Sequence, residues 1–300
     1  MGHGPAADRT VAMTPLPPDP WSIAIYQGPD PLHLSPLAGG DGPVMTREQV
    51  TDVRARFVAD PFLFPHGGLW HLFFEVLNHD SGLGELGWAS STDLTRWTYQ
   101  RIVLREGFHL SYPQVFAHDG QIYMLPETLD AGAVRLYRAE PFPTRWVPVA
   151  DLVTGRLADP SLFQHDGRWW MFACPTPDRH DALVLYHADD LFGPWHPHPA
   201  NPLRHSSPSG SRPGGRVVAW KGGLYRLAQD CGPRYGHGLR AFAITVLTPT
   251  RYQEVECPES PVLTASGQGW NGKGMHHADI WPWAGGVIAA VDGLWREPSQ

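Results

Sequence analysis

Five short apolar runs, each folding back on a two-residue turn, constrain this chain more than any other feature. The turn pairs read as Gly67-Gly68, Asp119-Gly120, Asp166-Gly167, Gly222-Gly223 and Gly285-Gly286. Such pairs supply the positive φ that tight hairpins require. They are spaced 47 to 63 residues apart, and helical periodicity is nearly absent. Repeats of about this length that carry several strands each are the mark of propeller blades. The units align: "ADPFLFPHGGLWHLFFE" matches "SYPQVFAHDGQIYMLPE" and "ADPSLFQHDGRWWMFAC" without a gap. "GGRVVAWKGGLYRLAQD" and "HADIWPWAGGVIAAVDG" follow more loosely. A second signature trails each hairpin: "GWASSTDLTRW", "RLYRAEPFPTRW" and "VLYHADDLFGPW". A sandwich of hairpins would give no reason for both signatures to recur in order. The expected fold is therefore all-β, a single five-bladed β-propeller over residues 21–300. "WSIAIYQG" is expected to supply the outer strand of the last blade and close the ring, and the polar, Pro-rich residues 1–20 to be disordered.

Counting from those turns pairs Asp60 with Glu75, Tyr112 with Glu127, Asp159 with Cys174, Gly215 with Asp230, and Ala278 with Gly293. In a propeller, innermost strands start at one mouth of the axial channel, so these polar positions would converge on a single cavity. The chain carries a net charge of -7 and no Lys/Arg block, which argues against a nucleic-acid partner. No apolar run reaches the roughly 20 residues of a membrane helix. The start lacks a basic flank followed by an apolar stretch, and Cys174, Cys231 and Cys257 fit neither a disulfide framework nor a zinc site. The expected location is the cytoplasm.

"ADPFLF" with "LWHLFFE", and "ADPSLF" with "RWWMFA", resemble blades of the five-bladed propeller glycosidases, glycoside hydrolase family 43 and its relatives in families 32 and 68. A closer resemblance spans about residues 20 to 295 and rests on "FHLSYPQVF", "IYMLPET", "SRPGG", "AQDCGPRYG" and "HHAD". It is to the N-terminal propeller family of plant glucosamine inositolphosphorylceramide transferases and their bacterial homologues. The plant proteins add a separate glycosyltransferase domain, which is not expected within these 300 residues. The resemblance implies sugar chemistry. In the hydrolases the first three blades supply an Asp base or nucleophile, an Asp that tunes the acid, and a Glu acid. Asp60 matches the first position, Tyr112 stands at the second, and Asp159 replaces the third.

Glycosyl chemistry needs a group to attack or activate a nucleophile and another to protonate the leaving oxygen. Asp60 is the expected base or nucleophile, and Glu127 or Asp159 the acid. Burial behind the apolar "YMLP" would raise the Glu127 pKa. Glu75, His109, Tyr112, Arg212, Asp230, Trp270, His276 and His277 are expected to bind substrate. Arg212 suits a phosphate or carboxylate held in two-point fashion, and Trp270, in "SGQGWNGKG", suits stacking. No cofactor is implied, and the one metal position the pattern offers is on the axis near His277 and Asp279. The expected function is a carbohydrate-active enzyme, a hydrolase or transferase acting on a saccharide, sugar phosphate or glycolipid at a glycosidic or glycosyl-phosphate bond. The alternative is a non-catalytic glycan- or partner-binding propeller, which the missing second Asp and third Glu would suit.

Overall fold

Each hairpin turns on two consecutive residues of positive φ: Gly67-Gly68, Asp119-Gly120, Asp166-Gly167, Lys221-Gly222 and Ala284-Gly285. The computed structural model describes residues 20–40 and 42–296; all of residues 1–20 expected to be disordered, apart from Pro20, lie outside these. In the last two units the turn falls one residue earlier than the Gly-Gly pairs suggest. Trp220 faces Gly223 and Trp283 faces Gly286 across the turns. Gly286 is needed for closeness, since a Cβ there would lie 2.3 Å from the Gly28 carbonyl oxygen. Ala284 therefore takes the left-handed position that glycine would otherwise hold, at a modest backbone cost.

Five sheets result. Blade 1 consists of Ala55–His66, Leu69–Asn78, Gly84–Ser91 and Thr98–Leu104. Blade 2 consists of Ser111–His118, Gln121–Glu127, Ala133–Ala139 and Trp146–Thr154. Blade 3 runs through Ala158–His165, Arg168–Cys174, Val184–Ala188 and His196–Pro197. In blade 4, Ser209–Pro213 and Val218–Trp220 share the innermost place beside Gly223–Asp230, followed by Gly238–Thr248 and Arg251–Glu256. Blade 5 is Ala278–Trp283 and Gly286–Arg296, completed by Trp21–Gly28 and Ser35–Pro36. The ring is thus closed by the N-terminal strand, as expected, but as the third strand of the blade. The outermost place goes to Ser35–Pro36.

The core is divided among the blade interfaces. Ile23 and Ile288 meet Leu63 and Phe74 between blades 5 and 1. Phe73 meets Met124 and Trp146 between blades 1 and 2, with Trp146 edge-on to Phe73 at 5.6 Å. Tyr123 and Leu136 meet Trp169 and Met171 across the next junction. The recurring Trp after the third strand is a packing residue, and its indole N–H caps a local carbonyl in all three copies: Leu94, Pro143 and Leu191.

Side chains fill the axis. Phe62, Tyr112 and His277 meet edge to face with centroids 4.8 to 5.1 Å apart. Arg216 pairs with Asp279 at 2.7 Å, donates to the Val115 carbonyl and covers the Trp281 ring at 4.6 Å. Asp279 also accepts from the Leu63 N–H and the Trp281 indole. The Asp279 carboxylate, expected beside an axial metal with His277, is thus held by Arg216, the Leu63 N–H and the Trp281 indole.

Candidate active site

The innermost strands of blades 1 to 3 break register at the same place, between Ala59 and Phe62, Ser111 and Gln114, and Ala158 and Ser161. The residue at each break has positive φ: Asp60 at 51°, Tyr112 at 51° and Asp159 at 50°. Each precedes a proline. A bulky Tyr in this region is a genuine outlier, and such strain persists only where surrounding structure enforces it. The bulge shifts the expected pairings by one, so Glu75 faces Ala59, Glu127 faces Ser111 and Cys174 faces Ala158. In blade 4, Asp230 faces Ser209, and in blade 5, Ala278 faces Val291.

The earlier turns in blades 4 and 5 change which residues reach the mouth. Counted from the true turns, the equivalents of Glu75 and Glu127 are Gln229 and Asp292, where Asp230 and Gly293 were expected. Asp230 is instead an anchor, accepting from Ser209 Oγ at 2.6 Å and Arg240 Nε at 2.8 Å. Asp292, absent from the expected set, is fully buried and takes four hydrogen bonds. These come from the backbone N–H groups of Asp60, His276 and His277 and from His276 Nδ1 at 2.8 Å. Burial alone would raise its pKa, but His276 holds it below the ordinary carboxylate range.

His276 is stacked on Trp21 at 4.2 Å, and its Nε2 lies 3.6 Å from Asp60 Oδ1. Burial favours the neutral ring, yet Asp292 and then Asp60 push its pKa up to about 9. His277 Nδ1 lies 3.8 Å from the same Asp60 oxygen. Both histidines precede the strand that starts at Ala278, and both lie within 4 Å of Asp60 Oδ1, at 3.6 and 3.8 Å. His277 is the opposite case to His276: burial pushes it down to about 4, and neither ring nitrogen has a hydrogen-bond partner. Asp60 Oδ1 is likewise buried and unpartnered. Burial drives the Asp60 carboxyl well up; His276 opposes this, and Asp159, Glu75 and Asp292 add to it. Donor atoms of Asp60, His276 and Asp292 all lie within 4.8 Å of one another. Asp292 nevertheless spends itself on His276 and on backbone N–H groups.

On the facing side, Arg212 grips Asp159 through Nε at 2.6 Å and a terminal nitrogen at 3.1 Å, and Gln229 adds a bond of 2.7 Å. Burial would raise Asp159, but this grip keeps it below the usual range. Glu127 differs. Its Oε2 accepts from the Asp159 N–H at 3.0 Å and has Arg212 only at 3.5 Å. Burial first, and then the Asp159 charge, raise its pKa to about 8 against the pull of Arg212. Adjacent carboxylates whose environments drive them apart are how one site provides an acid and an anion together.

The remaining expected residues divide. His109 Nδ1 accepts from the Gly84 N–H, which fixes the tautomer whose Nε2 donates to Glu75 at 3.1 Å. Tyr112 is fully buried, its hydroxyl taken up by Ser161 Oγ at 2.7 Å and the Gly215 N–H at 2.6 Å. It is an axial post, and the expected contact with substrate does not suit it. Trp270 lies on Gly269–Gly274, which pairs with Gly286–Arg296 on the side away from the outer strands of blade 5, and its ring packs over Gly293 and against the Tyr26 ring. Two residues with no role in the expected site join the mouth: His180 accepts from Arg212 at 3.1 Å, and Tyr235, 40% exposed, spans His180 and His276 over Arg212. The sequence contains a signal for Tyr235, its place in "AQDCGPRYG", but none for His180, which lies in an irregular loop.

The family model of the N-terminal region of glucosamine inositolphosphorylceramide transferase 1 matches residues 18–294. The chain belongs to this family. The rice (Oryza sativa subsp. japonica) glucosamine inositolphosphorylceramide transferase 1 is 36% identical over 307 residues, covering 95% of this chain and 41% of the rice protein. Its Arabidopsis thaliana namesake is 34% identical over 295 residues, covering 91% and 39%. The chain thus spans about two fifths of the length of these relatives. A GH43 protein of Bacillus licheniformis superposes with a TM-score of 0.59 at 17% identity, over 80% of this chain and 51% of that one. A GH130 glycoside hydrolase that targets β-1,2 mannosidic linkages in Candida mannan gives 0.59 at 12% identity, over 85% and 92%. These likenesses establish the shared five-bladed architecture. Among the described residues no helix is long and apolar enough to cross a membrane.

Proposed function

We propose that this member of the family is a carbohydrate-active enzyme acting at a glycosidic or glycosyl-phosphate bond in the propeller mouth. The observation that carries this is a buried Glu127 that accepts from the Asp159 N–H and has Arg212 only at 3.5 Å, surroundings that raise its pKa to about 8, with an Asp60 oxygen left without a partner. In this reading Glu127 gives its proton to the leaving oxygen as the bond to the anomeric carbon breaks. Asp60 acts as its carboxylate, which burial disfavours and the His276 charge 3.6 Å away supports, and either attacks that carbon or takes the proton of the attacking water or hydroxyl. Asp159 stays ionised and positions Arg212. His276 holds positive charge beside Asp60, and His109 orients Glu75. Every step runs through the chain's own side chains.

The names of the rice and Arabidopsis relatives support a saccharide, sugar-phosphate or glycolipid substrate. Three buried free thiols, Cys174, Cys231 and Cys257, suit a reducing compartment such as the cytoplasm. A non-catalytic glycan binder is the second reading, favoured by Asp159 and Asp230, each spent on an arginine.

A panel of aryl glycosides, sugar phosphates and nucleotide sugars, with glucosamine donors included, distinguishes the two. Turnover that falls above about pH 8 and is lost in Glu127→Gln supports the enzyme, because only protonated Glu127 can act as acid. Binding of a panel member without turnover, unchanged in Glu127→Gln, supports the binder.

A further inference from the structure

Behind the mouth, at the same end of blade 5, lies a second cleft of about 270 Å³ lined by Ser22, Thr46, Arg47, Glu48, Trp270 and Trp295 among others. That is a little under the ~300 Å³ at which small-molecule pockets begin, and enough for one sugar ring. Trp270 and Trp295 are both half-buried. The Trp270 ring lies so close over Gly293 that a Cβ there would sit 2.4 Å from its Cζ3, and Tyr26 meets its edge at 6.3 Å. The backbone at Trp295 is fixed by its main-chain N–H, which donates to the Pro20 carbonyl at 3.1 Å. The Trp270 indole is thus held in place before any ligand arrives, and the strand that carries Trp295 is fixed beside it.

The rim is polar. Glu48 is 67% exposed and pairs with Arg47 at 2.9 Å, and Thr46 and Ser22 add hydroxyls. Pyranose rings offer C–H faces to aromatic surfaces and hydroxyls to such a rim, and preorganised platforms lose little entropy on binding. The cleft and the mouth are joined by shared strands. Trp21 faces Leu294 and stacks on the mouth residue His276, while its neighbour Ser22 faces Gly293 and lines the cleft.

We propose that this cleft is a second saccharide subsite, holding one pyranose ring on Trp270 and Trp295 while another part of the same glycan occupies the mouth. It rests on the carbohydrate reading of the chain but not on catalysis. The proteins for the test are the wild type, the double variant Asp60→Asn/Glu127→Gln, and Trp270→Ala and Trp295→Ala. The probes are methyl β-glucoside, chitobiose and glucosamine, followed by saturation-transfer NMR and by tryptophan fluorescence. Trp270→Phe, which keeps an aromatic face, controls for folding.

We expect at least one probe to bind the wild type and the double variant alike. Each Trp→Ala variant should weaken it about tenfold or more, and Trp270→Phe should retain most of the affinity. A probe that binds the wild type and Trp270→Ala equally, but not the double variant, would place all recognition in the mouth and overturn the second subsite alone. Absence of binding by every probe to every protein, together with no turnover in the panel above, would overturn the subsite and the carbohydrate reading together.

Discussion

Replacing Asp60 by Asn is expected to lower turnover by about 10²–10⁴-fold while leaving the fold intact, the range by which positioned acid–base groups accelerate reactions. The two halves of that expectation have separate causes. Asn is among the few side chains that occupy left-handed backbone readily, so the φ of 51° is tolerated. Asp60 Oδ1 has no hydrogen bond to lose, and burial already disfavours its charge. The melting temperature should therefore stay within a few degrees of the wild type. An amide cannot take a proton or serve as the nucleophile, and turnover should fall for that reason alone. A variant that unfolds while losing activity would mean that Asp60 acts through structure.

Asp292→Ala is expected to have the largest effect on stability. The carboxylate satisfies three buried backbone N–H groups and a buried imidazolium. Removing one partner of a buried ion pair leaves the other uncompensated, at a cost of about 3–5 kcal/mol. For a chain of this size that lowers the melting temperature by on the order of 10 °C.

The pair also sets a pH window. Asp292 is held low in the fold, so its contribution is present above the ordinary carboxylate pKa and is lost as pH falls through the folded value. His276 is held high, so its contribution is full below the ordinary histidine pKa, about 6.5, and is lost as pH rises through about 9. Thermal melts of the wild type should show both slopes, and melts of Asp292→Ala should flatten them. Equal stability of the two proteins from pH 5 to 9 would show that the pair contributes nothing to the fold.

Much of the architecture was legible because hairpin turns carry their own chemistry. Gly67-Gly68, Asp119-Gly120 and Asp166-Gly167 are at once turn residues and repeat markers, so blade number and order followed from them. The same reasoning misplaced the turns of blades 4 and 5. In blade 5 the second glycine, Gly286, serves backbone approach, in blade 4 a Cβ at Gly223 would meet the Tyr225 ring, and the left-handed positions fall to Lys221 and Ala284. A one-residue slip in a strand sends every side chain to the other face, which is why Asp230 displaced Gln229 and why Asp292 went unseen.

Within the site, residue type suggested several acids but could not rank them. What separates Glu127 from Asp159 is the reach of Arg212, 2.6 Å to one and 3.5 Å to the other, a property of packing between blades 2, 3 and 4. Tyr112 had the position of a functional residue, but its hydroxyl is used by Ser161 and Gly215, neighbours that only ring closure brings together.

The central claim is that the mouth keeps a protonated acid beside an ionised, arginine-held carboxylate. Side-chain carboxyl chemical shifts of Glu127, followed by carbon-detected NMR from pH 4 to 10 and assigned with Glu127→Gln, test it without any substrate. A midpoint near 8 is the predicted result. A midpoint in the ordinary glutamate range, about 4.3, would leave the site with no acid at neutral pH and contradict the account.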